Sequence, residues 1–473
     1  MMSISLGVAD WAANLDFASI PADIADATKL RILDVVGVCV SGRRSAVGAA
    51  IEKVARKYFA ASETRTFAPA GATRFPLFNA FANGTLAAAL DYDDTHNNTV
   101  IHPSSPAICA VLALAGDRPA TGRELITSVA AGVEACCRIG MAAPGEFHRR
   151  GLHPTGVIGV FASTVAAARF LGLDPARTQH AIGIAASFGA GIMQAWLDGS
   201  DVRFCHTGFA ASSGMLAAQL AAGGVTGPAE SLEGKFGIFR THLQGEAAVD
   251  PSVICDGIGQ WWESRNVSFK PYPTAHVTHS FIDAALHLRR LEAFKSEEIV
   301  GVVCPVAEYM VALVCEPAEE RRNPRTVSSA RISLPHIIAE ALVFGEIGPR
   351  SFSEERRSDP RVRGLAERTA YRIDPEAPGR ERYKGWVQIR LRDGRVLERV
   401  EEHNLGCPQK PLGETALREK FVVNVEGVIG AVEAERMADL VLSLDRQDDT
   451  LSIISFLSAL NPTRREGEEV QDA

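Results

Sequence analysis

Trp386-Val387-Gln388-Ile389-Arg390-Leu391-Arg392-Asp393-Gly394-Arg395-Val396-Leu397-Glu398-Arg399-Val400 reads as two alternating strands around an Asp-Gly turn. Apolar and polar side chains alternate as a half-buried hairpin requires, and Asp-Gly supplies the backbone such turns demand. Upstream, Ile299–Val303 and Val306–Val314 are β-branched runs that predict further strands. The surrounding chain has a different texture. Pro21–Ser41 carries proline near a first turn, Ile32, Val35, Val36 and Val38 at helical spacing, and Gly42 as a stop. Similar patterns predict helices over Ala120–Met141, Gly156–Leu171, Pro175–Ser187 and Gly208–Ala222 before Asn266, and over Leu417–Phe421 and Ala434–Ser443 after Gly406. A polar, acidic tail follows from Thr463. The fold class is therefore mainly α with a smaller α+β domain. A discontinuous all-helical domain is expected from residues 1–265 and 405–473, and an inserted α+β lid domain from 266–404, with a cleft between them.

The chain has 473 residues, enough for two domains, and a formal net charge of −8. An acidic excess without Lys/Arg clusters argues against a nucleic-acid surface, so small molecules are the expected partners. No run approaches a membrane span, and Met1–Gly7 lacks the basic and apolar regions of a leader, so a cytoplasmic protein is expected. The nine cysteines are scattered without a C-x-x-C pair, which reads as reduced thiols and not as disulfides or a zinc-thiolate site.

Chemistry-bearing residues concentrate in Asp91-Tyr92-Asp93-Asp94-Thr95-His96 and His102-Pro103-Ser104-Ser105. Carboxylates, imidazoles and hydroxyls so close together lower helix propensity and are costly to bury without partners, and proton transfer would justify them. Three more segments join a cation or imidazole to Gly or Pro: Gly151-Leu152-His153-Pro154-Thr155-Gly156, Arg203-Phe204-Cys205-His206-Thr207-Gly208, and Lys270-Pro271-Tyr272-Pro273 with His276 and His279. Such segments suit loop-to-helix junctions, where side chains enter a cleft and free N–H groups attract anions. A carboxylate substrate fits them. Each also has a bland reading. The Asp91–Asp94 run can cap the helix expected from about Ser105, His153-Pro154 can start a helix, Arg203 and His206 can pair with Asp198 or Asp201, and Gly84 and Gly223-Gly224 are turn material.

In this order, and with Asn83-Gly84, Thr278-His279, Ala330–Leu342, Gly406-Cys407-Pro408 and Lys420-Phe421, these segments resemble the MmgE/PrpD family. That family includes 2-methylcitrate dehydratase, cis-aconitate decarboxylase and an iminodisuccinate epimerase. The resemblance implies the two-domain fold above, a homodimer, and metal-free chemistry without a cofactor that makes or breaks a C–H bond beside a carboxylate. By motif position it implies that Asp91, Thr95, His102, His153 and Lys270 line the active site, with Arg203 where lysine is frequent.

The residues support that theme. A proton beside a carboxylate is weakly acidic, so its removal needs cations on the carboxylates and a base at the carbon. Lys270 and Arg203 suit the first task, and His102 and His153 the second, from opposite faces for an anti elimination. Asp91 or Asp94 would fix a histidine tautomer and Thr95 would bind substrate. Tyr272, His276 and His336 complete the expected substrate-binding set. Three positions depart from the family. Ala88 stands where a histidine is frequent, His336 where a tyrosine follows Ser-Leu-Pro, and Ala275 where decarboxylase-like members have a histidine five residues after the lysine. Decarboxylation is accordingly the weaker expectation. The leading one is a hydro-lyase of the 2-methylcitrate dehydratase type on a hydroxylated di- or tricarboxylate. The alternatives are an epimerase or decarboxylase of a related polycarboxylate, a non-catalytic carboxylate-binding protein, and a metal-dependent hydrolase using Asp91, Asp94, His96, His102 and His153.

Overall fold

The computed structural model describes residues 3–58, 75–116, 118–245 and 248–450, so the tail from Thr463 lies outside the described residues. Helices dominate the first half: α1 (Ala22–Gly42), α2 (Pro76–Ala88), α3 (Ser104–Ala115), α4 (Gly122–Met141), α5 (Gly159–Phe170), α6 (Pro175–Ala185) and α7 (Val202–Ala222). Alanine and glycine on their faces let them pack closely. A Cβ on Gly84 of α2 would stand 2.9 Å from the Gly208 Cα of α7, so these glycines mark a helix crossing and not the turn expected of Gly84. Gly223-Gly224 does end α7, with Gly224 at φ +97°.

The α+β domain follows. It contains α8 (His279–Leu291), α9 (Leu334–Phe344) and a four-stranded sheet of β3 (Ile299–Val306), β4 (Thr369–Ile373), β5 (Gly385–Leu391) and β6 (Val396–Glu401). The spatial order is β4-β3-β5-β6, with β3 and β4 parallel and the other pairs antiparallel. The hairpin read from the sequence is β5–β6, in register Trp386↔Val400 with Gly394 at φ +91°. Val387, Ile389 and Leu391 point into a core shared with Phe281, Ile282, Ile337 and Ile338.

The chain then returns to the first body. Phe421, Val425, Met437 and Val441, from α10 (Glu414–Val425) and α11 (Ala431–Leu442), belong to the same apolar core as Val36, Ile108 and Ile126. The helical domain is thus discontinuous and the α+β domain is inserted.

Two elements differ from expectation. The run Val306–Val314 is not a strand: β3 ends at Val306, and Glu308–Met310 and Val311–Cys315 coil instead, turning Leu313 and Val314 toward the interdomain cavity. Helix α7 starts six residues before Gly208, which places Arg203, His206 and Thr207 on its first turns.

Candidate active site

Asp91–Pro103 forms an irregular crossing between α2 and α3, and its polar residues divide into two groups. The first group holds the loop. Asp93 Oδ2 accepts from Ser105 Oγ at 2.9 Å, and Asp94 accepts from the N–H of Ser104 at 3.4 Å and from its hydroxyl, with Arg31 Nε 3.8 Å away. Asp94 therefore satisfies a first-turn N–H of α3, whereas Asp93 is bound to that turn only through the Ser105 hydroxyl. Burial pushes the Asp94 carboxyl up to about 6, against the pull of Arg31. His96 is buried between Thr99 Oγ1 at 2.8 Å and Glu263 Oε1 at 3.0 Å. A short antiparallel pair, β1 (Thr95–His96) with β2 (Val267–Ser268), ties this loop to the Lys270 segment. From α10, Lys420 reaches under the loop, donating to the Tyr92 carbonyl at 2.9 Å and pairing with Asp34 at 2.6 Å.

The second group, Asp91, Thr95 and His102, faces a cavity between the domains with about 90 Å³ open to water-sized molecules, and Asp93 belongs to both groups, lining the cavity with its Oδ1 3.8 Å from His102 Nδ1. Asp91 and Val100 adopt left-handed backbone, φ 54° and 57°. For a β-branched residue such as Val100 that conformation is strained, and strain of this kind gathers at functional sites. Asp91 takes two cations on one carboxylate: Lys270 Nζ stands 2.6 Å from Oδ1 and Arg203 Nη1 3.1 Å from Oδ2. Burial alone would raise the Asp91 carboxyl, but Lys270 and then Arg203 hold it well below the usual carboxylate range. Asp91 thus balances only one of the two cations, and Asp93 is the other carboxylate in the cavity wall.

The imidazoles are oriented by their partners. His102 Nδ1 lies 2.6 Å from the Asp94 carbonyl oxygen, which can only accept, so Nδ1 carries a proton and the Nε2 of the neutral ring is a free acceptor. Thr95 Oγ1 is 3.2 Å from the same Nδ1, and Thr155 Oγ1 accepts the His102 N–H at 3.0 Å. The His153 ring centroid is 6.4 Å from that of His102, and its Nδ1 is 3.0 Å from His206 Nδ1. Burial holds His153 well below the usual histidine range, and the neighbouring His206 and His102 add to that effect. Asn404 Nδ2 donates to the Leu405 carbonyl at 3.3 Å, which fixes its amide orientation, and to His276 Nε2 at 2.9 Å. His276 therefore bears its proton on Nδ1. That atom, Arg203 Nη2 and Thr207 Oγ1 are buried without a partner, and all three residues line the cavity. Unpaired buried polar atoms cost about 1–3 kcal/mol each. Here three such donors belong to residues of one cavity wall.

Seven of the residues singled out in the sequence thus meet at the cavity wall: Asp91, Thr95, His102, His153, Arg203, Lys270 and His276. Two stand elsewhere. The Tyr272 hydroxyl donates to Asp283 Oδ1 at 2.8 Å, and the ring meets His279 edge-on at 5.3 Å, outside the lining. His336 is a correction to the substrate-binding set. It is fully buried in the core of the inserted domain beside Phe352, with neither ring nitrogen hydrogen-bonded and Glu340 Oε2 3.8 Å from Nε2, because the Ser-Leu-Pro turn points it into α9's own packing and away from the cavity. The departures Ala88 and Ala275 do line the cavity and leave apolar wall there. Sequence reading passed over Thr207, Trp196, Tyr383, His148 and Asn404. Thr207 lay inside a quoted motif, whereas Asn404 carries no local signal. Among the described residues no group of three His, Cys, Asp or Glu converges as a metal-ligand set. Asp94 and His96 are turned to Ser104 and Glu263, away from the other proposed ligands. A larger groove of about 940 Å³ lies nearby; of its five arginines, Arg350, Arg356 and Arg361 are paired with Glu426, Glu346 and Asp359, and Arg44 and Arg331 donate to main-chain carbonyls.

Two family models match the chain. The MmgE/PrpD N-terminal domain covers residues 7–249 and the MmgE/PrpD C-terminal domain residues 272–446. Among relatives, the chain is 27% identical to a cis-aconitate decarboxylase of Aspergillus terreus, covering 96% of each chain. It is 25% identical to the cis-aconitate decarboxylase of Homo sapiens, over 92% of this chain and 90% of that one. It is 23% identical to the 2-methylcitrate dehydratase of Salmonella typhimurium, over 78% and 79%.

Proposed function

Because the chain belongs to the MmgE/PrpD family, we propose that it is a polycarboxylate lyase that moves a proton at the carbon beside a carboxylate, with loss of water as the leading outcome. The observation that carries this reading is the pair of imidazoles in one cavity that Lys270 and Arg203 also line. His102 offers a bare Nε2, fixed by the Asp94 carbonyl, and His153 stands opposite. In the proposed step a substrate carboxylate docks against Lys270 and Arg203, taking the free Arg203 Nη2 and the His276 and Thr207 donors. The developing negative charge then sits beside fixed cations in a site with little water. His102 Nε2 removes the α-proton, and His153 protonates the leaving hydroxyl from the other face. Residues 266–404 serve as a lid over residues 1–265 and 405–473, a division consistent with Ala275, Leu313, Ile332 and Tyr383 facing the cavity from one side. The step uses no metal, and the engagement of Asp91 by Lys270 and Arg203 supports that. A cytoplasmic homodimer belongs to the same reading, with sedimentation as its check.

Proton NMR in D2O with 2-methylcitrate, citrate, cis-aconitate, malate, tartrate and iminodisuccinate, beside His102→Ala, tests the proposal. Deuterium exchange or loss of an α-proton in the wild type, cut by about 10²-fold or more in the variant, is the expected result. Exchange that survives in His102→Ala would remove that residue as the base, and silence across the panel in folded enzyme favours a binding protein. Decarboxylation is the second reading, supported by the relatives of fungal and human origin. Itaconate formation from cis-aconitate in the same tubes would promote it, whereas the alanine wall at Ala275 supports elimination. Inversion of a stereocentre without net loss would indicate an epimerase.

A further inference from the structure

His153 and His206 approach through like atoms. Their Nδ1 nitrogens are 3.0 Å apart and their ring centroids 5.1 Å apart. Two lone pairs at that distance repel, and two N–H groups have no acceptor between them, so one ring donates and the other accepts. The pair is held in place from several sides. Trp196 packs 4.7 Å from His153 and stacks at 28° on His206. Gly191, at φ +145°, lies so close that a Cβ there would be 3.2 Å from His206 Cγ and 3.4 Å from His153 Cβ, and its carbonyl accepts the His153 N–H at 3.0 Å. Neither histidine has a carboxylate partner among the described residues, and burial keeps both below the usual histidine range, so both rings are neutral. His206 Nε2 is neither hydrogen-bonded nor among the sealed buried atoms, and it keeps contact with solvent.

The two arrangements of the shared proton differ in what they show the cavity. If His153 donated, its Nε2 would present a lone pair, as His102 Nε2 already does, and an anionic ligand would meet two acceptors. If His206 donates, His153 presents Nε2–H, and the cavity holds one base and one donor. We propose that His206 is a positioning residue which donates its Nδ1–H to His153 Nδ1 and so fixes the proton of His153 on Nε2, facing the substrate. For its chemistry this rests on the lyase reading above, although the hydrogen bond itself does not. In turnover His153 gives its Nε2 proton to the departing hydroxide, receives the His206 Nδ1 proton, and His206 Nε2 takes a proton from water. Both rings stay neutral, and the hydroxide left in solvent is matched by the proton that His102 took from carbon and later releases. Once product has left, the relay runs backwards: His153 Nε2 takes a proton from water, His153 Nδ1 returns its proton to His206 Nδ1, and His206 Nε2 releases one to solvent, which restores the starting tautomers.

The test uses full-length enzyme with ¹⁵N-labelled histidine, with His206→Phe and His206→Asn alongside. In the substrate-free wild type, the His153 nitrogens are expected to report Nε2 protonated and Nδ1 bare. His206→Phe, which removes the donor, is expected to mix the tautomers and lower kcat by about 10²-fold while KM changes by no more than about threefold. His206→Asn, whose amide N–H stands near the lost Nδ1–H, is expected to recover most of that kcat. A wild-type His153 protonated on Nδ1 overturns the proposal, as does a folded His206→Phe with unchanged kcat. The wild-type spectrum needs neither a variant nor a substrate, so a failed lyase reading and a failed tautomer assignment remain distinguishable.

Discussion

Asp91 shows how much one side chain carries at the residue scale. Its carboxylate is the counter-ion of two cations that are themselves almost wholly buried, with side-chain exposures of 1% for Lys270 and 3% for Arg203. Removing one partner of such a cluster leaves desolvated charge uncompensated, which costs about 3–5 kcal/mol. Asp91→Asn keeps the shape and deletes the charge, so urea unfolding is expected to show a loss in that range. Asp91→Asn with Lys270→Met is expected to cost less than the sum of the single changes, because the second removes part of what the first exposed. Strict additivity would mean that the two groups do not depend on each other. Residue types near Asp91 were legible in the sequence because acid, imidazole and cation cluster visibly in four short segments. Their division of labour was not. Nothing local says that Asp94 and His96 hold the loop, that Asp91, Thr95 and His102 face the cavity, and that Asp93 does both, since that depends on Ser104, Ser105 and Glu263 arriving from other elements. His336 was misplaced for the same reason, and Asn404 went unseen because its role exists only opposite His276.

At the scale of elements, the site depends on how closely α2 and α7 cross, because α7 carries Arg203, His206 and Thr207. A Cβ added at Gly208 would fall 2.2 Å from Thr85 Oγ1 and 2.3 Å from the Phe81 carbonyl oxygen, and the latter is backbone that cannot swing away. In an unpacked helix, glycine to alanine stabilises by about 1 kcal/mol. Here the helices must part, and overpacking of this kind costs about 1–3 kcal/mol. Gly208→Ala is therefore expected to lower Tm, whereas Gly364→Ala, in a helix with nothing within 4 Å of the added carbon, is expected to raise it. A rise in both variants would refute the close crossing. The elements themselves were mostly readable: α1 and the β5–β6 hairpin fall within a residue or two of expectation. The misreadings arose where one residue type serves two purposes. Gly208 looked like a helix start and is a contact point inside α7, and the β-branched run Val306–Val314 looked like strand and became cavity wall.

For the whole molecule, the inserted architecture was legible because hydrophobic period changes twice along the chain, from helical to alternating and back. The packing of α10 and α11 into the first core then places Lys420 beneath the Asp91–Pro103 loop. The same burial that orients the histidines makes the molecule sensitive to acid. His153, His276 and His279 are held well below the usual histidine range chiefly by burial, and His336 is pushed down to about 4 by burial, with Arg357 and Arg363 adding to it. Between pH 6.5 and about 4 the unfolded chain binds protons at these positions that the folded chain refuses, so stability is intact above that window and falls as pH drops through it. Asp94, raised to about 6, works in the opposite sense over the lower part of the window and offsets about one histidine. For His336 alone the shift is worth about 2 kcal/mol at about pH 5. His336→Leu removes that titration and two buried nitrogens without hydrogen bonds at once, together with the 3.8 Å approach to Glu340, without touching the cavity lining. Urea unfolding at about pH 8 and about pH 5 is expected to show the variant losing about 2 kcal/mol less than the wild type between the two conditions. Equal losses would show that His336 takes up its proton in the folded state as readily as in water, and that the core of the inserted domain admits charge which its packing forbids.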